Sequence, residues 1–225
     1  MGMSPLLLRP RTTKLNVLAI PGLATWHDAS DEASVTIATG ASQWNDKSGN
    51  SRHATQSTAN NQPWYAGTRN GLRVLTYDGA NDTMRTPVFA LNQPSTIFVV
   101  ANSTTNNNII DGFLSTRASI ARRSTGHWAI YAGIDLFAGT SDSAWNVLEC
   151  ETNGASSSLR VNGVQIISGN AGAQNCTGGL SFGSYNNSGS YMTGDMGEVI
   201  TTDGILSAST LAAIRKYLKA KWGTP

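Results

Sequence analysis

Two neighbouring carboxylates, Asp195 and Glu198, stand in the window Thr193-Gly194-Asp195-Met196-Gly197-Glu198 near the end of the chain. Paired carboxylates are the tools of glycoside hydrolysis, and a retaining mechanism needs an acid/base and a nucleophile about 5–5.5 Å apart. Side chains alternate between the faces of a regular strand, so residues three apart point in opposite directions. A bulge at Gly197 would bring the two to one face. Thr193 has no adjacent base to activate its hydroxyl. The other reading, which the window favours, is that Asp195 and Glu198 cap turns and satisfy backbone donors at a sheet edge.

Other chemistries leave weaker traces. His27, His53 and His127 are the only histidines, and none lies in a G-x-S-x-G or H-E-x-x-H context. No glycine-rich loop leads into a helix as phosphate binding requires. Asp78, Asn81 and Asp82 offer three hard oxygens within five residues, the donor type that suits Ca2+; an ordinary Asx turn uses the same residues. Asp46, Ser48 and Asn50 alternate like the start of a calcium loop, but no Glu follows at its twelfth position. Glycan binding calls for an aromatic platform with polar neighbours. The candidates are Trp64 and Tyr65 in one loop and Tyr185, Asn186 and Asn187 in another.

The elements that must position these residues are mostly strands. Thr96 to Ala101, TIFVVA, is a continuous β-branched and aromatic run that predicts a central strand buried on both faces. Asn162-Gly163 between apolar runs predicts a tight hairpin, since both central residues of that turn need positive φ. Ser207 as N-cap, apolar residues at Leu211, Ile214 and Leu218, and Gly223 as the stop predict one helix over 207–222. Its basic residues Arg215, Lys216, Lys219 and Lys221 are expected to face solvent or a partner. About a dozen short strands and a closing helix specify an all-β fold, a two-sheet antiparallel sandwich.

Charged residues make up only 13% of the 225, and the net charge of +2 gives no reason to expect nucleic acid or an acidic membrane surface as partner. Cys150 and Cys176 have no metal-ligand spacing, which leaves a disulfide and two separate thiols open. Residues 1–16 form a basic arm with Pro5, Arg9, Pro10, Arg11 and Lys14, where the prolines oppose regular structure. Docking of this arm on a neighbouring subunit, including another copy of the chain, is one expectation and a loose terminus the other. Residues 17–225 read as one domain. No signal peptide and no transmembrane segment is evident.

The order of short motifs resembles the laminin-G-like branch of the concanavalin A-like lectin/glucanase superfamily. The resemblance runs from Trp26-x-Asp28-Ala29-Ser30, through Gln43-Trp44-x-Asp46-x-Ser48-Gly49-Asn50 and Asp78-Gly79-x-Asn81-Asp82. It continues in Ser158-Leu159-Arg160-Val161-Asn162-Gly163 and ends in Gly194-Asp195-Met196-Gly197-Glu198-Val199-Ile200. It implies a concanavalin A-like jelly roll of the kind found in bacterial surface proteins and tailed-phage virion proteins. Laminarinase-type hydrolases of that superfamily carry a Glu-x-Asp-x-x-Glu strand, and Thr193 stands where their nucleophile would be. The expectation is therefore a non-catalytic lectin-like protein on a tailed-phage virion surface, a capsid decoration or tail appendage among other virion proteins, with glycans as ligands. The alternative is a carbohydrate-binding module of a bacterial surface or glycan-degrading system, with a glycoside hydrolase behind it.

Overall fold

The computed structural model describes residues 15–225 except 114, 115, 123, 124 and 188. The basic arm residues Pro5, Arg9, Pro10, Arg11 and Lys14 lie outside the described residues. Two large antiparallel sheets face one another, and the helix Ala208–Trp222 covers the outer side of one of them. The protein is thus an all-β sandwich with a C-terminal helix. Among the described residues no helix is long and apolar enough to cross a membrane.

The seven-stranded sheet runs in the order Leu23–Asp28, Thr193–Asp203, Ser95–Ser103, Asn146–Thr152, Ser157–Val161 and Val164–Gly169; Leu75–Asp78 pairs with the start of Thr193–Asp203. Its centre is buried on both sides because apolar residues occupy both phases of the alternation. Ile97, Val99 and Ala101 enter the core between the sheets, while Phe98 and Val100 meet the helix. The helix completes that second core with Leu211, Ile214, Leu218 and Trp222. Ser207 accepts a hydrogen bond from the Thr210 backbone N–H, and Gly223 closes the helix at φ 60°. Arg69 and Asn70, in the turn of the small hairpin Thr68–Arg69/Leu72–Arg73, donate to the last helical carbonyls, of Trp222, Gly223 and Lys221.

The nine-stranded sheet runs Asp135–Ala138, Trp128–Tyr131, Ser119–Arg122, Asn108–Gly112, Leu180–Phe182, Met84–Arg85, Ala54–Thr55, Ala41–Trp44 and Val35–Ile37. Four of these strands are two or three residues long, too short to leave a periodic signal. The 43–56 segment carries strand at both ends of the turn-rich stretch around Asp46 to Asn50. Trp44, Met84, Ile110, Ile120, Ile130 and Phe182 point inward to the shared core. The hairpin at Asn162-Gly163 has both residues at positive φ, 52° and 89°. Cys150 and Cys176 are separate buried thiols, each pushed up by burial, to about 12 and about 11.

Candidate functional site

The carboxylate window is architectural in its contacts. A register shift between Met196 and Glu198 marks a bulge at Gly197, so Asp195 and Glu198 do share the outer face of the seven-stranded sheet. Trp222 lies so close to Gly197 that a Cβ there would come within 2.9 Å of its ring, which only glycine allows. That approach seals Glu198, which is 0% exposed. Its Oε1 accepts from Trp26 Nε1 at 2.8 Å and Tyr217 OH at 2.9 Å; its Oε2 accepts from Trp222 Nε1 and Lys221 Nζ, both at 2.8 Å. Burial, then Asp28, raise its pKa, against the pull of Lys221. Lys221 also reaches Asp28 at 2.6 Å, and Lys47 approaches the other Asp28 oxygen at 3.2 Å. Burial alone would raise Asp28, but Lys221, Ser30 and Lys47 hold it below the usual carboxylate range. Asp195 accepts from Thr76 Oγ1 at 2.6 Å, and no carboxylate replaces Thr193 at the head of the window.

The helix's basic side is accordingly not all turned to solvent. Arg215 reaches Glu149 at 2.5 Å, and that buried carboxylate also takes Arg160 at 3.2 Å. Sequence periodicity located the apolar stripe of the helix, but long side chains from its flanks fold back to anions on the sheet.

The carboxylates of the two metal candidates accept hydrogen bonds from nearby backbone groups. Asp78 Oδ1 accepts from the N–H groups of Ala80 and Asn81, and Asp82 Oδ2 accepts from that of Asp78. Asn81 Oδ1 is buried without a partner, and burial lifts Asp82 to about 6. Asp46 takes backbone donors from Trp26, Ser48 and Arg52, which hold its carboxyl below the usual range despite burial. Among the described residues no group of three or more His, Cys, Asp or Glu side chains is placed to hold a metal ion.

The nine-stranded sheet turns a different face outward. Gln43, Thr55, Arg85, Ser181 and Asp111 are successive cross-strand partners, and Ser119, Tyr131 and Asp135 continue the row. This polar row is opposite in phase to the inward apolar residues. Asp111 and Ser181 are nonetheless fully buried, with Arg117 and the backbone of Asn186 and Asn187 bonded to them. Arg117 donates to both Asp111 oxygens at 2.8 Å, and its guanidinium lies between the rings of Tyr131 and Tyr185, 4.5 and 4.4 Å from their centroids. Burial raises Asp111 to about 6 in spite of Arg117.

The loop that carries Tyr185 is pinned to this row. Asn186 N–H donates to Asp111 Oδ2, Asn187 N–H donates to Ser181 Oγ, and Thr83 Oγ1 donates to Asn187 Oδ1. Both asparagines are left-handed, φ 46° and 58°, a conformation that asparagine tolerates better than most residues. Gly183, at φ 78°, lies against the Tyr77 ring, where a Cβ would come within 2.3 Å. Tyr185 remains 40% exposed.

Beside Tyr185 the same face opens into a cleft of about 580 Å³, walled by Gln43, His53, Gln56, Arg85, Val88 and Asn187 among others. His53 Nδ1 accepts from the Asp46 N–H at 3.0 Å, which places its proton on Nε2. A larger groove of about 1390 Å³ flanks the helix between Leu18 and Tyr217, and the charged groups Asp28, Lys47 and Lys221 on its wall are engaged with one another.

The sequence-derived glycan candidates therefore separate. Tyr185, Asn186 and Asn187 lie on the polar face; Trp64 and Tyr65 do not join them. Trp64 pairs through its backbone with Thr76, beside the seven-stranded sheet, and Tyr65 donates from its hydroxyl to the Ala29 carbonyl at 2.5 Å. Arg85, Asp111, Arg117 and Tyr131 escaped notice in the sequence, and His53 was noted there only as a histidine outside any catalytic motif. Arg85 sits in a two-residue strand and Arg117 in a loop, so neither is marked by periodicity.

No family model and no curated protein sequence matches the chain. Solved structures share its fold. Trypanosoma rangeli sialidase, in complex with 2,3-difluoro-KDN, superposes at TM-score 0.64 with 11% identity over 91% of this chain and 34% of its own. Domain 4 of AbnA, a GH43 extracellular arabinanase from Geobacillus stearothermophilus in complex with arabinotriose, gives 0.58 with 15% identity over 87% of this chain and 99% of its own. The binding domain of Paraclostridial Mosquitocidal Protein 1 gives 0.61 with 12% identity, over 93% of this chain and 56% of its own. The chain spans about a third of the sialidase. The likeness establishes the β-sandwich fold.

Proposed function

We propose that the protein is a non-catalytic carbohydrate-binding module whose site is the outer face of the nine-stranded sheet. The observation that carries this reading is the stack of Tyr131, Arg117 and Tyr185 held on buried Asp111. It presents an exposed aromatic ring with the neighbouring asparagine backbone locked in place, beside a cleft within the roughly 300–1,000 Å³ range of ligand sites. Apolar C–H faces of a sugar suit the ring, and the amide and hydroxyl groups suit its hydroxyls. The arabinanase domain, which matches over nearly its whole length and is described with arabinotriose, supports the same class of ligand. Glu198 has no exposed surface through which to act as an acid or base.

The test is a glycan array followed by calorimetry on the best binders. Wild type binds oligosaccharides, Tyr185→Ala weakens binding about tenfold or more, equivalent to ~1.4 kcal/mol, and Trp64→Ala leaves it unchanged. An array that stays blank, or loss through Trp64 rather than Tyr185, overturns the reading. Placement on a tailed-phage virion rests on the sequence resemblance alone; co-purification with capsid or tail proteins tests that part.

A further inference from the structure

Among the described residues every arginine but one has at least one acceptor, Arg122 included, although its own Nε is buried without a partner. Arg52 and Arg69 donate to backbone carbonyls, Arg122 to the Ser103 carbonyl, Arg73 meets Glu32, Arg117 meets Asp111, and Arg160 and Arg215 share Glu149. Among the described residues only Arg85 has no acceptor, and its Nε is buried without a partner. Phe113 packs against its guanidinium with 3.4 Å between Cζ and the ring centroid, which restricts the side chain. No carboxylate lines the cleft that Arg85 enters, and Asp111, two strands along the row, is spent on Arg117. Burial lowers the pKa of Arg85 with no anion to offset it.

A guanidinium held on an aromatic ring and partly desolvated, with no anion of its own, is an unfilled half of a charge-assisted pair. Arginine's planar fork matches a carboxylate in two parallel hydrogen bonds. Neutral donors and acceptors on the walls, from Gln43, Gln56, His53 and Asn187, fit the hydroxyls of a pyranose rather than a bare ion. We infer that this cleft selects a carboxylate-bearing saccharide, of the uronate or sialate class, with Arg85 receiving the carboxylate. The inference rests on the glycan-binding reading and narrows it to acidic sugars; it draws on Arg85 and its surroundings, not on the ligands of the structural neighbours.

Matched pairs separate the two readings. Titrating the protein with trigalacturonic acid and sialyllactose as acidic probes, and with arabinotriose and lactose as neutral ones, gives at least tenfold tighter binding for one acidic class. Which acidic class responds identifies the source of the carboxylate. Raising salt from 50 to 500 mM weakens only the acidic ligand. Arg85→Gln removes the acidic preference; Arg85→Lys keeps part of the preference, since it retains charge without the fork. A sulfated oligosaccharide in place of the acid binds less tightly than the carboxylate. Equal affinity for acidic and neutral probes, or a preference that survives Arg85→Gln in a folded protein, overturns the inference while the glycan reading stands. Silence with every probe overturns both. If Arg85→Gln fails to fold, the salt dependence of wild type and the Arg85→Lys titration decide.

Discussion

Glu198 and Arg85 both point outward from their sheets, one under the helix and one into the open cleft. Glu198 takes four donors and shows no surface, while Arg85 has none of its hydrogen bonds met by protein. The seven-stranded sheet's outer face is a second core, in which charge serves to hold the helix down. The nine-stranded sheet's outer face has no such cover, and its polar row is braced by loops instead. The lesson is that a charged residue on a sheet reveals its role by what is left unsatisfied. The carboxylates that looked chemical are saturated; the arginine that drew no attention is not.

The largest effect expected from breaking this contrast is at Glu198. Glu198→Ala leaves Lys221 and two indole N–H groups without their acceptor and costs about 3–5 kcal/mol, as removal of one partner of a buried pair does. Thermal unfolding of a chain this size then shifts down by roughly 10 °C. Arg85→Gln, on the other face, changes stability by less than ~0.5 kcal/mol. Equal losses at both positions by calorimetry would erase the contrast.

Next in size is a pH effect in the core between the faces. His27 is fully buried against Trp44 and Phe182, donates from Nε2 to the Arg52 carbonyl, and has Nδ1 without a partner. Burial lowers it to about 4 from an ordinary 6.5, in spite of Asp46. The unfolded chain therefore binds more protons than the native one between these values, and stability falls as pH drops from 6.5 toward 4. The loss attributable to His27 reaches about 3 kcal/mol at the lower end. Asp111 and Asp82, both raised to about 6, act in the opposite sense and add stability over the same descent. Comparing urea midpoints of wild type and His27→Gln from pH 7 to 4 isolates the histidine: the variant loses less on acidification. Parallel curves would show that His27 is not the group.

Smaller still is the helix cap. Ser207→Ala removes the bond to Thr210 N–H and costs ~1 kcal/mol. Read by hydrogen exchange, the loss appears in the helix amides and leaves the loop around Tyr185 unchanged. Loosening of that loop would mean that the two faces are coupled through the core.

Much of the architecture was legible locally. The TIFVVA strand, the Asn162-Gly163 hairpin and the capped helix each carry their instruction within a few residues, through β-branching, positive φ and a side-chain cap. Gly197 as the bulge could be named as a condition, because only a bulge brings Asp195 and Glu198 to one face. What stayed hidden was the partner of each charge. Strands as short as Met84–Arg85 have no period, and hydrogen bonds such as Trp26 to Glu198 join residues 172 positions apart.

The sequence by itself determined that the chain is an antiparallel sandwich with one closing helix, since alternation, turn chemistry and helix capping are short-range properties. It also selected Tyr185, Asn186 and Asn187 as a polar aromatic loop. Only the tertiary structure decided which sheet the helix would cover, and so which charges would be sealed and which left open. The physical reason is that solvation depends on what packs above a side chain. At Glu198 a helix folded over the sheet supplies three of the four donors, and at Arg85 no described residue supplies an acceptor.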